Sequence, residues 1–155
     1  EELLALHKPI SRKLILTAQA MPGGESLVKR CHEEKIPMAL VTSSSLESVE
    51  IKTAPHKWMN LFSIRVLGDD KLLKKGKPAP DPYLLAAKKL NIAPKECWAV
   101  EDSISGVSSA LEAGCFVFFL KEKSDAQPKK EFFEQSKNLN EINHLKEIEK
   151  ILSDY

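Results

Sequence analysis

The fold is indicated most clearly by the stretch Cys97-Trp98-Ala99-Val100-Glu101-Asp102-Ser103, a short apolar run that ends in two acids. Three other apolar runs of similar length occur at residues 36–42, 62–67 and 115–120. Short runs of nearly continuous apolar character are typical of parallel strands that are covered on both faces. The sequence therefore predicts four buried strands, and the one at residues 97–101 leads directly into a pair of carboxylates.

Segments with helical spacing of apolar residues lie between and after these runs. They cover residues 24–34, 81–90, 104–113 and 140–152. The alternation predicts βα units, and hence an α/β fold with a Rossmann-like parallel sheet and flanking helices. Residues 1–20 are also helical in pattern, and a plausible linker, Met21-Pro22-Gly23-Gly24, follows them. We therefore divide the chain into residues 1–20 and 21–155.

Composition narrows the class of partner. The chain has 155 residues and a net charge of +1, with lysines spread along its length, which argues against a nucleic-acid surface. No stretch approaches the ~20 apolar residues of a membrane span, so we expect no membrane partner. The three cysteines are far apart and form no CxxC pair, which favours a reducing, cytoplasmic compartment.

A run of hydroxyl side chains follows the predicted strand 36–42. Thr42, Ser43 and Ser44 stand where the carboxyl end of a parallel strand leads into a helix, and α/β proteins bind anions at this end of the sheet. These residues are therefore candidates for a phosphate site, with Thr42 as the main hydrogen-bonding residue. An alternative for Ser44 is helix capping, because Glu47 three residues later completes a capping box.

A lysine and two acids supply the charges that a phosphate and its metal require. Lys77 lies between Gly76 and Pro78, where prolines restrict the backbone and so fix the direction of the ammonium group. The alternative is that Lys77 belongs to an ordinary solvated run of lysines. Glu101 and Asp102 offer hard oxygen ligands. We expect one of them to bind Mg²⁺ directly and the other to orient a metal-bound water or to hold Lys77.

Three motifs in this order resemble those of a known family. They are Val-Thr-Ser-Ser-Ser at 41–45, Gly-Lys-Pro-Ala-Pro-Asp at 76–81, and Val-Glu-Asp-Ser at 100–103 with the helix that runs to Gly114. The combination closely resembles the haloacid dehalogenase-like hydrolases, and within them the β-phosphoglucomutase-like and phosphoglycolate phosphatase-like enzymes with a helical cap. The likeness covers the chain from about residue 20 onward, whereas residues 1–20 resemble only the last cap helix and its return linker.

The resemblance implies a role for each candidate residue. Thr42 and Lys77 are the implied catalytic residues: Thr42 binds the transferring phosphoryl group, with Ser43 nearby, and Lys77 steadies both the phosphate and the nucleophile. Asp102 is implied to be a direct Mg²⁺ ligand. Glu101 is its neighbour and acts through water or on Lys77.

The same resemblance points to a segment that these residues do not contain. Family members begin with a strand and Asp-x-Asp, whose first aspartate attacks phosphorus, and no Asp-x-Asp follows a β-like run in the 155 residues. The resemblance implies that this strand is the middle one of the sheet. We therefore expect a core that lacks its first strand, an incomplete copy of a longer protein or one whose N-terminal segment comes from elsewhere, and little activity without that segment.

Three functions remain open from the sequence. The leading interpretation is a Mg²⁺-dependent phosphatase that acts on a small phosphorylated metabolite through an aspartyl-phosphate. A phosphomutase is the second, and it is less favoured because Ser45-Leu46 stand where such mutases tend to place Lys-Asn. The third is a non-catalytic phosphate-binding module, although such a module need not keep Glu101 and Asp102.

Overall fold

The computed structural model describes residues 19–121 and 136–154. The predicted segment 1–20 therefore lies almost entirely outside the described residues. Within the described ranges, five strands form two parallel sheets. The first sheet pairs β1 (Ala39–Val41) with β2 (Ile64–Val66), and the second has the order β3 (Trp98–Glu101), β4 (Phe116–Leu120), β5 (Leu139–Ile142).

Five α-helices flank these sheets in the described part of the chain. They are α1 (Gly24–Glu33), α2 (Leu46–Thr53), α3 (Asp81–Leu90), α4 (Ile104–Glu112) and α5 (Lys146–Ser153), with two 3₁₀ turns at Lys57–Leu61 and Pro94–Glu96. The predicted α/β class is confirmed, and the four predicted strands are present in shorter form. None of these helices is both long and apolar enough to cross a membrane.

One predicted element was wrong at its beginning. The apolar spacing over residues 140–152 predicted a single helix, but Leu139–Ile142 is a strand and the helix begins only at Lys146. Ile142 lies opposite Leu120 on β4 and is almost fully buried. Pairing with β4 covers an edge whose backbone groups would otherwise be unsatisfied. This tertiary interaction overrides the local helical pattern.

The second sheet has an apolar core on each face. Successive side chains of a strand point to opposite faces, so β4 contributes Val117 and Phe119 to one core and Phe118 and Leu120 to the other. The first core is completed by residues of α3 and α4, and the second by residues of α1, β5 and α5. Helices therefore cover both faces, and the carboxyl ends of the strands are left for the loops.

The edge of β1 that faces away from β2 is unpaired among the described residues. Thr42 donates its backbone N–H to the Val66 carbonyl of β2 at 3.0 Å. Alternate residues of a parallel strand direct their backbone groups to opposite edges, so the backbone groups of Ala39 and Val41 face away from β2. The side chain of Val41 nevertheless packs against the core that contains Ala99 of β3.

The edge of β3 that faces away from β4 is likewise unpaired in the described ranges. Phe116 of β4 donates its backbone N–H to the Cys97 carbonyl at 3.0 Å. By the same alternation, the backbone groups of Trp98 and Val100 face away from β4. Trp98 and Val100 are 41% and 43% exposed, which is high for large apolar residues of a parallel strand. Among the described strands, β1 therefore pairs only with β2, and β3 pairs only with β4.

Candidate active site

Lys77 connects the carboxyl ends of β1 and β3. Its ammonium group donates to the Val41 backbone carbonyl at 3.3 Å and forms an ion pair with the Glu101 carboxylate. Both side chains are largely buried, with exposures of 9% for Lys77 and 6% for Glu101. The solvated-run alternative for Lys77 is therefore wrong, because burial and pairing separate it from its exposed neighbours Lys74 and Lys75.

Glu101 is held by three donors. Lys77 and the Tyr83 hydroxyl both contact its Oε1 atom, and the Ser103 hydroxyl donates to Oε2 at 3.2 Å. Ser103 also accepts the backbone N–H of Gly106 at 3.1 Å, so this side chain caps α4 while it binds the acid. A carboxylate with both oxygens occupied in this way is fixed in one orientation. Of the two roles predicted for an acid at this position, Glu101 has the geometry of the one that holds Lys77.

Tyr83 was not singled out by the sequence. It lies on α3, is buried, and places its ring 5.3 Å from the Lys77 ammonium nitrogen. Burial raises the pKa of the Tyr83 phenol far above its ordinary value, and the nearby Glu101 charge raises it further. The hydroxyl therefore stays protonated and remains a donor to Glu101. In the sequence, Tyr83 could have been recognised as a site residue only by its place in the first turn of the helix that begins at Asp81, the last residue of the Lys-Pro-x-Pro-Asp motif.

Asp102 differs from Glu101 in its surroundings. It is exposed at the end of β3, and it makes no hydrogen bond or ion pair with another described residue. The two adjacent acids therefore point in different directions, as their place at a strand end predicts. No group of three metal-capable side chains occurs in the described ranges. Of the two acids, only Asp102 therefore has an exposed carboxylate, and its role as a metal ligand stays a prediction.

The hydroxyl loop follows β1 and turns into α2. Thr42 accepts the backbone N–H of Ser44 through its Oγ1 atom at 3.1 Å. Helix α2 is capped by Ser45, and not by Ser44 as the capping-box alternative predicted. The physical reason is that the helix begins one residue later, at Leu46. Ser43 is exposed and Thr42 and Ser44 are half-buried, so the loop combines a fixed hydroxyl with accessible ones.

A turn after β2 supports this loop. Gly68 donates its N–H to the Ser44 carbonyl at 2.9 Å, and its Cα lies against Ser43. Asp69 accepts the backbone N–H of Leu46 with both carboxylate oxygens, at 3.1 and 3.0 Å. The turn at residues 68–70 therefore provides a second cap for α2.

Lys52 is a further cation that the sequence did not single out. It lies on α2, and its ammonium group donates to the Ser44 hydroxyl at 3.2 Å. Lys52, Thr42 and Ser44 all line a cavity of about 250 Å³. The eight-residue spacing between Ser44 and Lys52 could have indicated this contact. It does so only once the first residue of the helix is known.

The structure thus brings most of the predicted site residues to one rim of the sheets. Lys77 and Glu101 are in contact, Asp102 follows Glu101, and Thr42 follows the carbonyl that Lys77 binds. Hydroxyls, a fixed cation and an exposed carboxylate at the carboxyl ends of parallel strands form an arrangement suited to a phosphate group. The parts played by the individual residues in chemistry remain predictions.

Comparison with known proteins agrees with this geometry. The model of the family described as haloacid dehalogenase-like hydrolase matches residues 3–114. The chain belongs to this family.

Named relatives in the family are phosphatases. A Drosophila melanogaster protein named "Probable pseudouridine-5'-phosphatase" is 39% identical over 133 residues, which cover 83% of this chain and 58% of that protein. Hexitol phosphatase A of Escherichia coli (strain K12) is 41% identical over 106 residues, or 68% of this chain and 48% of the relative. The chain thus spans about half the length of the curated relatives it matches.

The fold also matches solved structures of this family. A HAD hydrolase of family IA, variant 3, from Entamoeba histolytica superposes with a TM-score of 0.74 at 27% identity. The match covers 94% of this chain and 65% of that one. The enzyme lineage inferred from the three motifs is therefore confirmed.

Proposed function

We propose that this protein is a Mg²⁺-dependent phosphatase of a small phosphorylated metabolite that works through an aspartyl-phosphate. The observation that carries the proposal is the Lys77 ammonium group, which contacts Val41 at the end of β1 and Glu101 at the end of β3. One buried cation thereby joins the hydroxyl loop to the acid pair. The names of the relatives support the same activity and a small phosphorylated metabolite as its substrate.

The chain's own residues bind and orient the phosphate in this proposal. The Thr42 hydroxyl donates to a phosphoryl oxygen, and the exposed Ser43 hydroxyl adds a further donor. Lys77 supplies a cation whose position is set by Glu101, Tyr83 and the Val41 carbonyl. A donor that is already in place costs no reorganisation when charge develops on the phosphoryl oxygens, which is why such preorganisation lowers the barrier.

Mg²⁺ fits the site through Asp102. Its exposed carboxylate is the hard oxygen ligand that this ion prefers, and Mg²⁺ typically takes one or two protein carboxylates together with substrate phosphate and water. When bound, the ion neutralises phosphate charge. Glu101 is a poor candidate for a direct ligand because both of its oxygens already accept hydrogen bonds.

The nucleophilic aspartate is proposed to come from a segment outside the 155 residues, which is also the proposed partner of this core. Its carboxylate oxygen would form a bond to phosphorus while the ester bond to the substrate oxygen breaks, and the second aspartate of the Asp-x-Asp pair would give its proton to that oxygen. Water would then hydrolyse the acyl phosphate to release inorganic phosphate. The unpaired edges of β1 and β3 support this proposal, because a strand between them would end beside Thr42 and Lys77.

The test is a phosphatase assay of a protein in which an Asp-x-Asp strand of the family precedes this sequence. We expect Mg²⁺-dependent phosphate release from a panel of nucleoside, hexitol and glycerol phosphates, and none from the 155-residue chain. Lys77→Met should abolish turnover, whereas Lys95→Met, an exposed lysine away from the rim, should not. Turnover that survives Lys77→Met would contradict the proposal.

The same protein distinguishes the alternatives. A phosphomutase supplied with a sugar 1-phosphate and a bisphosphate activator would yield the 6-phosphate isomer and little free phosphate. A phosphate-binding module would bind phosphate and turn over neither substrate. One observation disfavours the phosphomutase. Ser45 and Leu46 stand in place of Lys-Asn, and both take part in capping α2: Ser45 is its N-cap, and the Leu46 N–H donates to Asp69.

A further inference from the structure

The loop that carries Lys77 is exposed immediately before the lysine. Lys74, Lys75 and Gly76 are all exposed, and a Cβ atom at Gly76 would meet no other atom within 4 Å. Packing of these residues therefore does not fix where the Lys77 ammonium group lies. The contacts that hold its position have to come from the residues that follow it.

A tight turn encloses Lys77 and is attached to helix α4. Ala79 donates its backbone N–H to the Gly76 carbonyl at 3.0 Å, which closes a four-residue turn with Lys77 inside it. The carbonyl group of Ala79 accepts the hydroxyl of Ser109, on α4, at 2.6 Å. A side chain of α4 thus holds the turn two residues after Lys77.

Ser109 is a polar residue in apolar surroundings. Its exposed fraction is 0%, and its neighbours on the helix, Val107 and Ala110, are equally buried in the first core. A buried hydroxyl costs free energy unless it forms a hydrogen bond. Alanine would fill a helical position in such a core without this cost. The contribution of the hydroxyl here is therefore its bond to Ala79.

The same side of α4 holds the acid that pairs with Lys77. Ser103, Gly106 and Ser109 follow one another at intervals of three residues, which places them on neighbouring turns of one side of the helix. The Ser103 hydroxyl donates to Glu101 at 3.2 Å, and Gly106 lies against the Glu101 carboxylate. Helix α4 therefore contacts both members of the ion pair, Glu101 directly and Lys77 through its turn.

We propose that Ser109 is a positioning residue for Lys77. Its hydroxyl holds the turn against α4, and the turn keeps the Lys77 ammonium group at Glu101. Because Ser109 is fully buried and donates to a backbone carbonyl, it acts through the turn and not on a phosphate group. The importance of this position for turnover rests on the proposed function, whereas the hold on the ammonium group does not.

The test on the 155-residue chain follows two NMR signals, the ¹H–¹⁵N resonance of the Lys77 ammonium group and the hydrogen exchange of the Ala79 amide. An amide in a hydrogen-bonded turn exchanges when the turn opens. We expect Ser109→Ala to speed exchange at Ala79 by about three- to tenfold, the usual effect of losing one neutral hydrogen bond. We also expect it to shift the ammonium resonance, because the contact with Glu101 changes.

Ile148→Val is the matched control for a loss of overall stability. It removes one methylene group from the second core, on the other face of the sheet, and should leave both signals unchanged. Ser109→Cys keeps a side chain of similar size with a weaker donor, so it should behave like Ser109→Ala. If Ser109→Ala fails to fold, Ser109→Cys decides the matter in its place.

Three results would overturn the proposal. The first is an ammonium resonance that does not move in Ser109→Ala. The second is the appearance of the same two changes in Ile148→Val, which would make them a consequence of lower stability. The third is a Ser109→Cys protein with the signals of the unmodified chain, which would show that side-chain volume and not the hydroxyl holds the turn.

The phosphatase assay gives a separate outcome. In the protein that carries the Asp-x-Asp strand, Ser109→Ala should lower kcat by about ten- to a hundredfold, because small displacements of a positioned group cost large factors in rate. Ile148→Val should leave kcat unchanged. Equal rates for Ser109→Ala and the unmodified protein would overturn the positioning role. Absent turnover in the unmodified protein, with the NMR changes present, would contradict only the proposed function.

Discussion

Gly106 of α4 lies directly against the carboxylate of Glu101. A Cβ atom at Gly106 would stand 1.9 Å from Glu101 Oε2 and 2.1 Å from its Cδ, far inside contact distance. The helix that follows β3 therefore requires a residue without a side chain at this position so that Glu101 can turn inward to Lys77. Position 106 of helix α4 therefore has to be a glycine for the Glu101 carboxylate to pack against the helix.

Gly106→Ala should displace Glu101 and destabilise the fold. Alanine improves helix propensity by about 1 kcal/mol, but forcing a methyl group into a filled site typically costs 1–3 kcal/mol, and the overlap here is severe. We expect urea denaturation to show a lower free energy of unfolding, and we expect the contact between Lys77 and Glu101 to be lost. Gly76→Ala is the matched control, since nothing lies within 4 Å of a Cβ at Gly76. A Gly106→Ala protein as stable as this control would contradict the steric argument.

Gly68→Ala should be more damaging to the hydroxyl loop than to the rest of the fold. A Cβ at Gly68 would lie 2.2 Å from the Ser43 backbone carbonyl oxygen, and a backbone atom cannot rotate away as a side chain can. We expect the amide resonances of the loop at Ser43 and Ser44 to move most, with a stability cost of roughly 1–3 kcal/mol. Gly24→Ala, where the nearest atom is 3.8 Å away, should leave these resonances in place.

Tyr83→Phe should cost more stability than the loss of an ordinary buried hydroxyl. The variant removes only the donor to the charged Glu101, and hydrogen bonds to charged groups contribute about 1.5–3 kcal/mol. The comparison is Ser109→Ala, which removes a buried hydroxyl that donates to the neutral Ala79 carbonyl at 2.6 Å and should cost about 1 kcal/mol. Denaturant unfolding of both variants measures the difference. Equal losses would show that Tyr83 does not hold Glu101.

Stability should fall at alkaline pH because of Cys115. Burial raises the pKa of the Cys115 thiol from 9.0 to about 11. Since the folded-state pKa is the higher one, the unfolded chain releases the proton first, and the stability present below pH 9 is lost as pH rises toward 11. Unfolding titrations across this range should show a steeper decline for the unmodified chain than for Cys115→Ala. Parallel declines would mean that the thiol does not titrate differently in the two states.

The sequence by itself determined the fold class, the positions of four strands, and the hydroxyls and acids that follow two of them. Local periodicity and the rule that parallel strands end at the same edge placed Thr42 and Glu101 at one rim. Lys77 does not end a strand, and only the family resemblance placed it beside them. Periodicity gave the wrong element at residues 139–142, where pairing with β4 produced a strand.

Only the tertiary structure distinguished the surroundings of the two acids and showed which further residues contact them. Glu101 and Asp102 are neighbours of the same chemical type, and only the contacts of Lys77, Tyr83 and Ser103 separate a buried anchor from an exposed carboxylate. The same holds for Lys52, which only the placement of α2 brings to the Ser44 hydroxyl. Charge balance and hydrogen-bond satisfaction depend on residues distant in sequence, and no local pattern encodes them.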